Sequence, residues 1–436
     1  MRVIIALLLM LVVAPAAAQT SPAAPAAVVK ADAALTARID ELPGVLAGGG
    51  DFDGYFNPAF RAAVSKDKWT ALTAQISGEL GKPLSIDSVK PATPLSAYVR
   101  VRYERGILNL QIAVDGAAPH QIVGLLLTGT EVAGDSLDKL TADFRALPGG
   151  SGFGLYALGA GAPRLVAGLN AERPAPLGSA FKLWVLGELV RETAAGERKW
   201  GDVVPVGTAS LPSGMTQAWP KGSPTTLQTL ALLMISISDN TATDTLVTLE
   251  GTKLDGFVAK AGAPGLAPML TTRQMFAIKA AGNADLAAKW AAATSPAARR
   301  KLLTDNEAKL AATPVDASMF ADNKPLAIDT LEWFASPAQT AAMLDWFRTT
   351  GGEPALSILA VNPGIDPTTR AKFDYVGFKG GSEPGVITLN LLVRRKDGRW
   401  LALAANWHRA DAAVDTNTFL KLVTRALALA GDAKLD

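Results

Sequence analysis

The chain has 436 residues, enough for two or three domains at about 150 residues each, and 49% hydrophobic against 19% charged residues excludes a disordered chain. Lysine plus arginine (42) nearly balance aspartate plus glutamate (40) and no basic block occurs, which excludes an electrostatic footprint for nucleic acid. With no cysteine and only two histidines, His120 and His408, disulfides, thiolate chemistry and a conventional zinc hydrolase site are excluded too, and no cofactor or metal is implied.

Residues 1–18 read as a secretory signal peptide. Arg2 supplies the positive start, residues 3–13 are an unbroken apolar run, and Ala16, Ala17 and Ala18 precede a cut at Gln19. Eleven apolar residues fall short of the ~20 needed to span a bilayer. No cysteine near the cut offers a lipid attachment point. The mature protein is expected in the periplasm or outside the cell, with no stable membrane anchor. Residues 19–32 are rich in alanine and proline and read as a flexible tether.

A small α+β unit is predicted over 33–130. Phe52, Tyr55, Phe56 and Phe60, then Trp69, Leu72 and Ile76, recur near helical spacing. Segments 97–103, 108–114 and 120–127 read as strands, with turns at Glu104, Arg105 and Gly106 and at Asp115 and Gly116. His120 opens the third strand and is read as structural. Residues 129–135 are the expected linker to a second unit over 134–436. There, 136–147 is an amphipathic helix with Leu137, Leu140 and Phe144 on one face. Segments 153–158 and 164–169 form one predicted hairpin, and 386–395 and 400–407 another, turning at Asp397 and Gly398. A last helix follows over 416–430. Strands at both ends of a helical middle imply one antiparallel sheet assembled from the two ends of the unit.

The chemistry begins with an absence. G-x-S-x-G does not occur, and His408 is the only histidine beyond the candidate serines, so a Ser-Lys mechanism is the one to consider. Ser179-Ala180-Phe181-Lys182 follows a Pro/Gly turn and opens an apolar helix. A spacing of three puts both side chains on one face. A serine hydroxyl needs an adjacent base, and burial at a helix N-terminus disfavours the charged form of a lysine. The backbone N–H of Ser179 is an oxyanion donor. Ser65-Lys66-Asp67-Lys68 fits the same pattern but has no apolar helix to bury its lysine, and reads as a solvated turn.

Two further signals follow. Ser238-Asp239-Asn240 ends an apolar helix, where Ser238 can relay a proton and Asn240 can hold Lys182 and a substrate amide. Lys379-Gly380-Gly381-Ser382 precedes the penultimate strand. Lys379 offers a charge for a substrate carboxylate, Gly380 and Gly381 let substrate lie against the strand edge, and the N–H of Ser382 is a second oxyanion donor. Each signal alone is weak, and an ordinary turn or glycine loop explains it. The three together, in this order, resemble the class A β-lactamase and penicillin-binding-protein superfamily with its S-x-x-K, S-D-N and K-[T/S]-G motifs.

The resemblance implies a β-lactamase-like αβα sandwich, with the site between an all-helical part and an antiparallel sheet, preceded by a small cone-like α+β domain. The two-part layout is also similar to exported hydrolases related to an esterase of clavulanic-acid gene clusters, whose N-terminal domain is like a steroid isomerase or NTF2. Two departures stand out. Gly380 replaces the usual Thr or Ser. No E-x-x-L-N follows the S-D-N, and the region expected to hold it reads LTTRQMF over 270–276, with Gln274 in place of an acid. Glu307 and Glu332 are later candidates for that acid, and a surface role is the preferred reading of both. The implied activity is acylation of Ser179 by a β-lactam, ester or peptidoglycan-like small molecule, followed by hydrolysis. A D-Ala-D-Ala carboxypeptidase, a non-catalytic β-lactam sensor and a binding module holding a hydrophobic ligand in the small domain remain open.

Overall fold

The computed structural model describes residues 29–211 and 213–432. The predicted signal peptide and residues 19–28 of the predicted tether lie outside them. The N-terminal part begins with helix α1 (Ala33–Leu46), capped by Asp32, whose carboxylate accepts from the Ala34 N–H at 2.8 Å. Helix α2 (Lys66–Leu80) follows. Strands β1 (Pro83–Thr93), β2 (Ser96–Tyr103), β3 (Gly106–Val114) and β4 (Ile122–Val132) form an antiparallel meander in chain order. Leu35, Ile39, Leu42 and Leu46 of α1 recur every three or four residues and are buried with Val99, Val101, Leu108 and Leu110 of the sheet. Each such side chain contributes about 1.5–3 kcal/mol on burial. Phe56 stacks on Phe60 at 4.3 Å and meets Trp69 edge-on at 4.9 Å, so the aromatic residues of 52–69 form one cluster.

Three expectations change here. Strand β1 is not legible in the sequence: it is an edge strand with proline at both Pro83 and Pro91 and almost no buried residue. Strand β4 runs on to Val132, so 129–132 belong to the sheet and only 133–135 connect the two parts. His120 stands in the turn before β4 at φ 55°, its Nδ1 3.0 Å from the Asp115 carbonyl, not in the strand.

The second part starts at helix α3 (Leu137–Ala146) and strands β5 (Gly150–Leu158) and β6 (Arg164–Leu169). A helical middle includes α4 (Lys182–Ala194), α5 (Leu227–Ser236), α6 (Asn240–Glu250), α7 (Thr272–Lys279) and α8 (Pro337–Trp346). Strands β7 (Phe373–Glu383), β8 (Val386–Arg395) and β9 (Trp400–His408) and helix α9 (Thr416–Asp432) complete the chain. The sheet order is β7-β8-β9-β5-β6, every pair antiparallel, so its strands come from both ends of the unit as expected.

Strand alternation sorts the side chains into two cores. Leu391, Leu401, Leu403 and Phe153 point to one face and pack with Phe144 of α3 and Phe419 of α9. Leu392, Ala402 and Tyr156 point to the other and pack with Trp184, Leu230 and Leu344 of the helical middle. The result is a mixed helix and antiparallel-sheet fold, with the sheet sandwiched between α3/α9 and the helical middle. Among the described residues, no helix is long and apolar enough to cross a membrane.

Candidate active site

The nucleophile turn is pinned before α4 begins. Ala175 and Pro176 pair with Ala335 and Phe334, and the Leu177 N–H donates to the Trp333 carbonyl at 2.9 Å. The Thr388 hydroxyl of β8 donates to the Leu177 carbonyl at 2.9 Å. Gly178 then takes φ 49°, and a Cβ there would come within 2.9 Å of the Ser382 nitrogen. Both the backbone sign and the close approach require glycine. Gly178–Phe181 is a 3-10 turn, so Ser179 sits in a tight turn just ahead of the α-helix that starts at Lys182. Ser179 is half-buried and opens on a cavity of about 250 Å³.

Lys182 is fully buried. Its Nζ donates to the Ser238 carbonyl at 2.7 Å, the Ser238 hydroxyl at 3.1 Å and Asn240 Oδ1 at 2.7 Å. Asn240 Nδ2 donates to the Leu211 carbonyl at 3.1 Å, which fixes the amide with its oxygen toward the lysine. None of these acceptors is a carboxylate. Burial, helped by the charge of Lys379, therefore pushes the Lys182 ammonium well below the usual lysine range, with Asp244 and Asp239 opposing. Of the three acceptors only the Ser238 hydroxyl can also donate, so a neutral Lys182 keeps all three contacts by accepting from it.

Ser238 owes its position to an unusual backbone. Its φ is 58°, between the end of α5 and the start of α6. Asp239 holds that corner: its buried carboxylate caps α6 at Ala242 N (2.9 Å) and accepts from Met215 N (2.7 Å), Thr216 N (2.8 Å) and Thr216 Oγ1 (2.5 Å). A second lysine reaches the same hydroxyl, since Lys379 Nζ lies 3.1 Å from Ser238 Oγ and 2.6 Å from the Gly380 carbonyl. Burial lowers Lys379 to about 7. Asn390, opposite it on β8, donates to the Lys379 carbonyl at 3.1 Å.

Gly381 is the contact between strand β7 and the nucleophile turn. A Cβ there would lie 2.2 Å from the Leu177 oxygen and 2.6 Å from the Ser179 nitrogen. This approach sets Ser382 and Ser179 on the same cavity. Gly380 faces elsewhere: its missing Cβ would meet the Phe378 ring at 2.9 Å and the Thr388 carbonyl at 3.2 Å. Ser179, Lys182, Ser238, Asn240, Lys379, Gly381 and Ser382 are thus brought together from three segments, with Gly380 beside them.

The cavity has an apolar wall of Leu211, Met275, Phe276, Phe320 and Trp333. Its polar wall adds Ser213, Thr272, Glu332 and Glu383, which sequence reasoning did not place there. Glu332 corrects an expectation: it is buried, not on the surface, and its oxygens accept from Gly178 N and Trp333 N, both at 3.2 Å. The signal was present as a lone acid in the otherwise apolar run Leu331-Glu332-Trp333-Phe334. Glu307 is exposed at a helix start, as expected. Gln274 closes a capping box with Thr271 and does not line the cavity. Ser65 caps helix α2 with Lys68 exposed, so that second S-x-x-K is the solvated start of a helix, not a turn. His408 ends strand β9 away from the cavity, with burial lowering its imidazole. A larger cleft of about 380 Å³, lined by Gly207, Lys221 and Thr248, contains none of the serine–lysine set.

Residues 137–319 match the family model described as the β-lactamase enzyme family. That stretch holds both SAFK and SDN, while KGGS lies beyond it. No curated protein matches the chain. Among solved structures, the chain is similar to a β-lactamase from Sphaerobacter thermophilus at 20% identity, with a TM-score of 0.46 over 68% of this chain and 95% of that one. It is similar to the penicillin-binding protein PBP-A at 16% identity and TM-score 0.45, over 67% and 93% of the two chains. A class A β-lactamase of the last common ancestor of Gram-negative bacteria aligns at 15% identity and TM-score 0.48, over 68% and 99%.

Proposed function

We propose that the protein is an exported serine hydrolase that takes the acyl group of a β-lactam or ester onto Ser179 and then releases it to water. The observation that carries this reading is Lys182: a fully buried lysine, one turn from a half-buried serine, whose hydrogen-bond partners among the described residues are neutral. A lysine held without a carboxylate is a base at ordinary pH. Ser179 Oγ attacks the acyl carbonyl while its proton passes to Lys182. The backbone N–H groups of Ser179 and Ser382 receive the oxyanion. Ser238, in contact with Lys182 and Lys379, relays the proton taken up by Lys182 to the departing amine or alkoxide. Lys379 attracts a substrate carboxylate, and the wall around Phe276, Phe320 and Trp333 suits an apolar acyl side chain. The lack of a hydroxyl at Gly380 leaves carboxylate binding to that lysine.

The test is turnover of a chromogenic cephalosporin and of a short-chain nitrophenyl ester, with mass spectrometry of the protein during reaction. The expected result is an adduct at Ser179 and complete loss of adduct and turnover in Ser179→Ala. Labelling elsewhere, or undiminished labelling of that variant, overturns the reading. Release of D-alanine from a D-Ala-D-Ala peptide in place of both reactions favours the carboxypeptidase alternative, and one adduct without turnover favours a sensor.

A further inference from the structure

Two acids lining the cavity onto which Ser179 opens, Glu332 and Glu383, share one buried lysine, Lys279. Lys279 at the end of α7 donates to Glu332 Oε1 at 3.2 Å and to Glu383 Oε1 at 2.5 Å. All three side chains are at least 95% buried. The two glutamates differ in what remains free. Glu332 Oε2 is occupied by the amides of Gly178 and Trp333. Glu383 Oε2 is buried and receives no donor from any described residue. A buried carboxylate oxygen left without a donor is destabilising unless something fills its place. Glu383 directly follows Ser382, and both line the cavity onto which Ser179 opens.

Resting on the acyl-enzyme reading above, we infer that Glu383 Oε2 is the general base for deacylation, with Lys279 and Glu332 as positioning residues. Water in the cavity attacks the carbonyl carbon of acyl-Ser179 and gives one proton to Glu383. The tetrahedral intermediate collapses, the bond to Ser179 Oγ breaks, and Glu383 hands the proton it took from water to Oγ. The acid product leaves, and Glu383 is again unprotonated. The missing glutamate after S-D-N is thus replaced by one reached from the strand side.

Geometry makes this chemistry pH-dependent with a definite sign. One lysine faces two carboxylates, and the other lysines of the site, Lys182 and Lys379, bond to Ser238 and to neither glutamate. Burial and the negative charge of Glu332 push Glu383 well above the usual carboxylate range, with Lys279 opposing. The raised group is protonated, and inactive as a base, below its own pKa. Deacylation therefore falls as pH falls through a value well above the ordinary glutamate range.

The experiment follows formation and decay of the Ser179 adduct separately, in the full-length protein, across pH. In wild type, decay is expected to quicken with rising pH along a single-proton limb. In Glu383→Gln, adduct still forms at Ser179 and decays roughly 10²–10⁴-fold more slowly, the range for a positioned acid–base group, with the limb gone. Glu383→Asp restores part of the rate with a shifted limb. A wild-type decay rate that is flat across pH overturns the inference whether or not the variants fold, as does wild-type decay in folded Glu383→Gln. Absence of any Ser179 adduct in wild type instead removes the acyl-enzyme reading itself, and the inference with it.

Discussion

Two buried lysines, Lys182 and Lys279, are wired in opposite ways. Lys182 meets a carbonyl, a hydroxyl and an amide oxygen, all neutral. Lys279 meets two carboxylates. In the first, burial and the charge of Lys379 outweigh Asp244 and Asp239, and the lysine is pushed well below its usual range. In the second, burial and the charge of Glu332 outweigh Lys279, and Glu383 is pushed well above the usual carboxylate range. The lesson is that burial drives both shifts, in opposite directions for a cation and an acid, and that the charges in contact add to it or oppose it. On the proposed reading, the serine is served by one base made from a lysine and by another made from a carboxyl group.

The sharpest way to break this comparison is to remove the first base. Lys182→Ala is expected to slow acylation by roughly two to four orders of magnitude, the range for a positioned proton acceptor, while near-ultraviolet circular dichroism keeps its folded signature. Unchanged acylation in a folded variant means that the comparison has the wrong lysine.

A smaller effect separates the two lysines on Ser238. Lys379 is held at about 7 by burial, so it is cationic below that value and neutral above it. Affinity for a carboxylate-bearing substrate is therefore expected to weaken as pH rises through about 7, while a matching methyl ester shows no such change. Lys379→Ala should raise KM for the carboxylate alone by roughly 10–100-fold, equivalent to the 1.5–3 kcal/mol of a charged hydrogen bond. Equal pH profiles for the two substrates break the assignment. The smallest effect is predicted for the histidines, which lie outside the cavity. The double variant His120→Gln, His408→Gln should retain most turnover, and its collapse with the fold intact would return a histidine to the chemistry.

Much of the second part was legible because its signals are local. The hairpins show period-two alternation, and their inward residues reappear as the two faces of the sheet. Strand β1 escaped notice because an exposed edge strand with two prolines carries no such alternation. The same limit applies to Glu332. A single acid beside tryptophan and phenylalanine does not reveal whether it turns to solvent or into the wall behind them.

What this sequence determined by itself is the set of groups whose relation is covalent and near. Ser179 and Lys182 are three residues apart, Ser238 and Asn240 flank one helix corner, and Lys379 and Ser382 share one strand. Helix geometry then sets Ser179 and Lys182 about one turn apart, and strand geometry sets Lys379 and Ser382 about 10 Å apart along one strand, whatever the rest of the chain does. The tertiary structure alone decided how these pairs face one another, and which acids and bases meet. Lys279 finds Glu332 across 53 residues and Glu383 across 104. No local periodicity encodes contacts at that separation. They form only when sheet and helices close on a common core, and that same closure removes the water that would otherwise keep every lysine charged and every glutamate ionised.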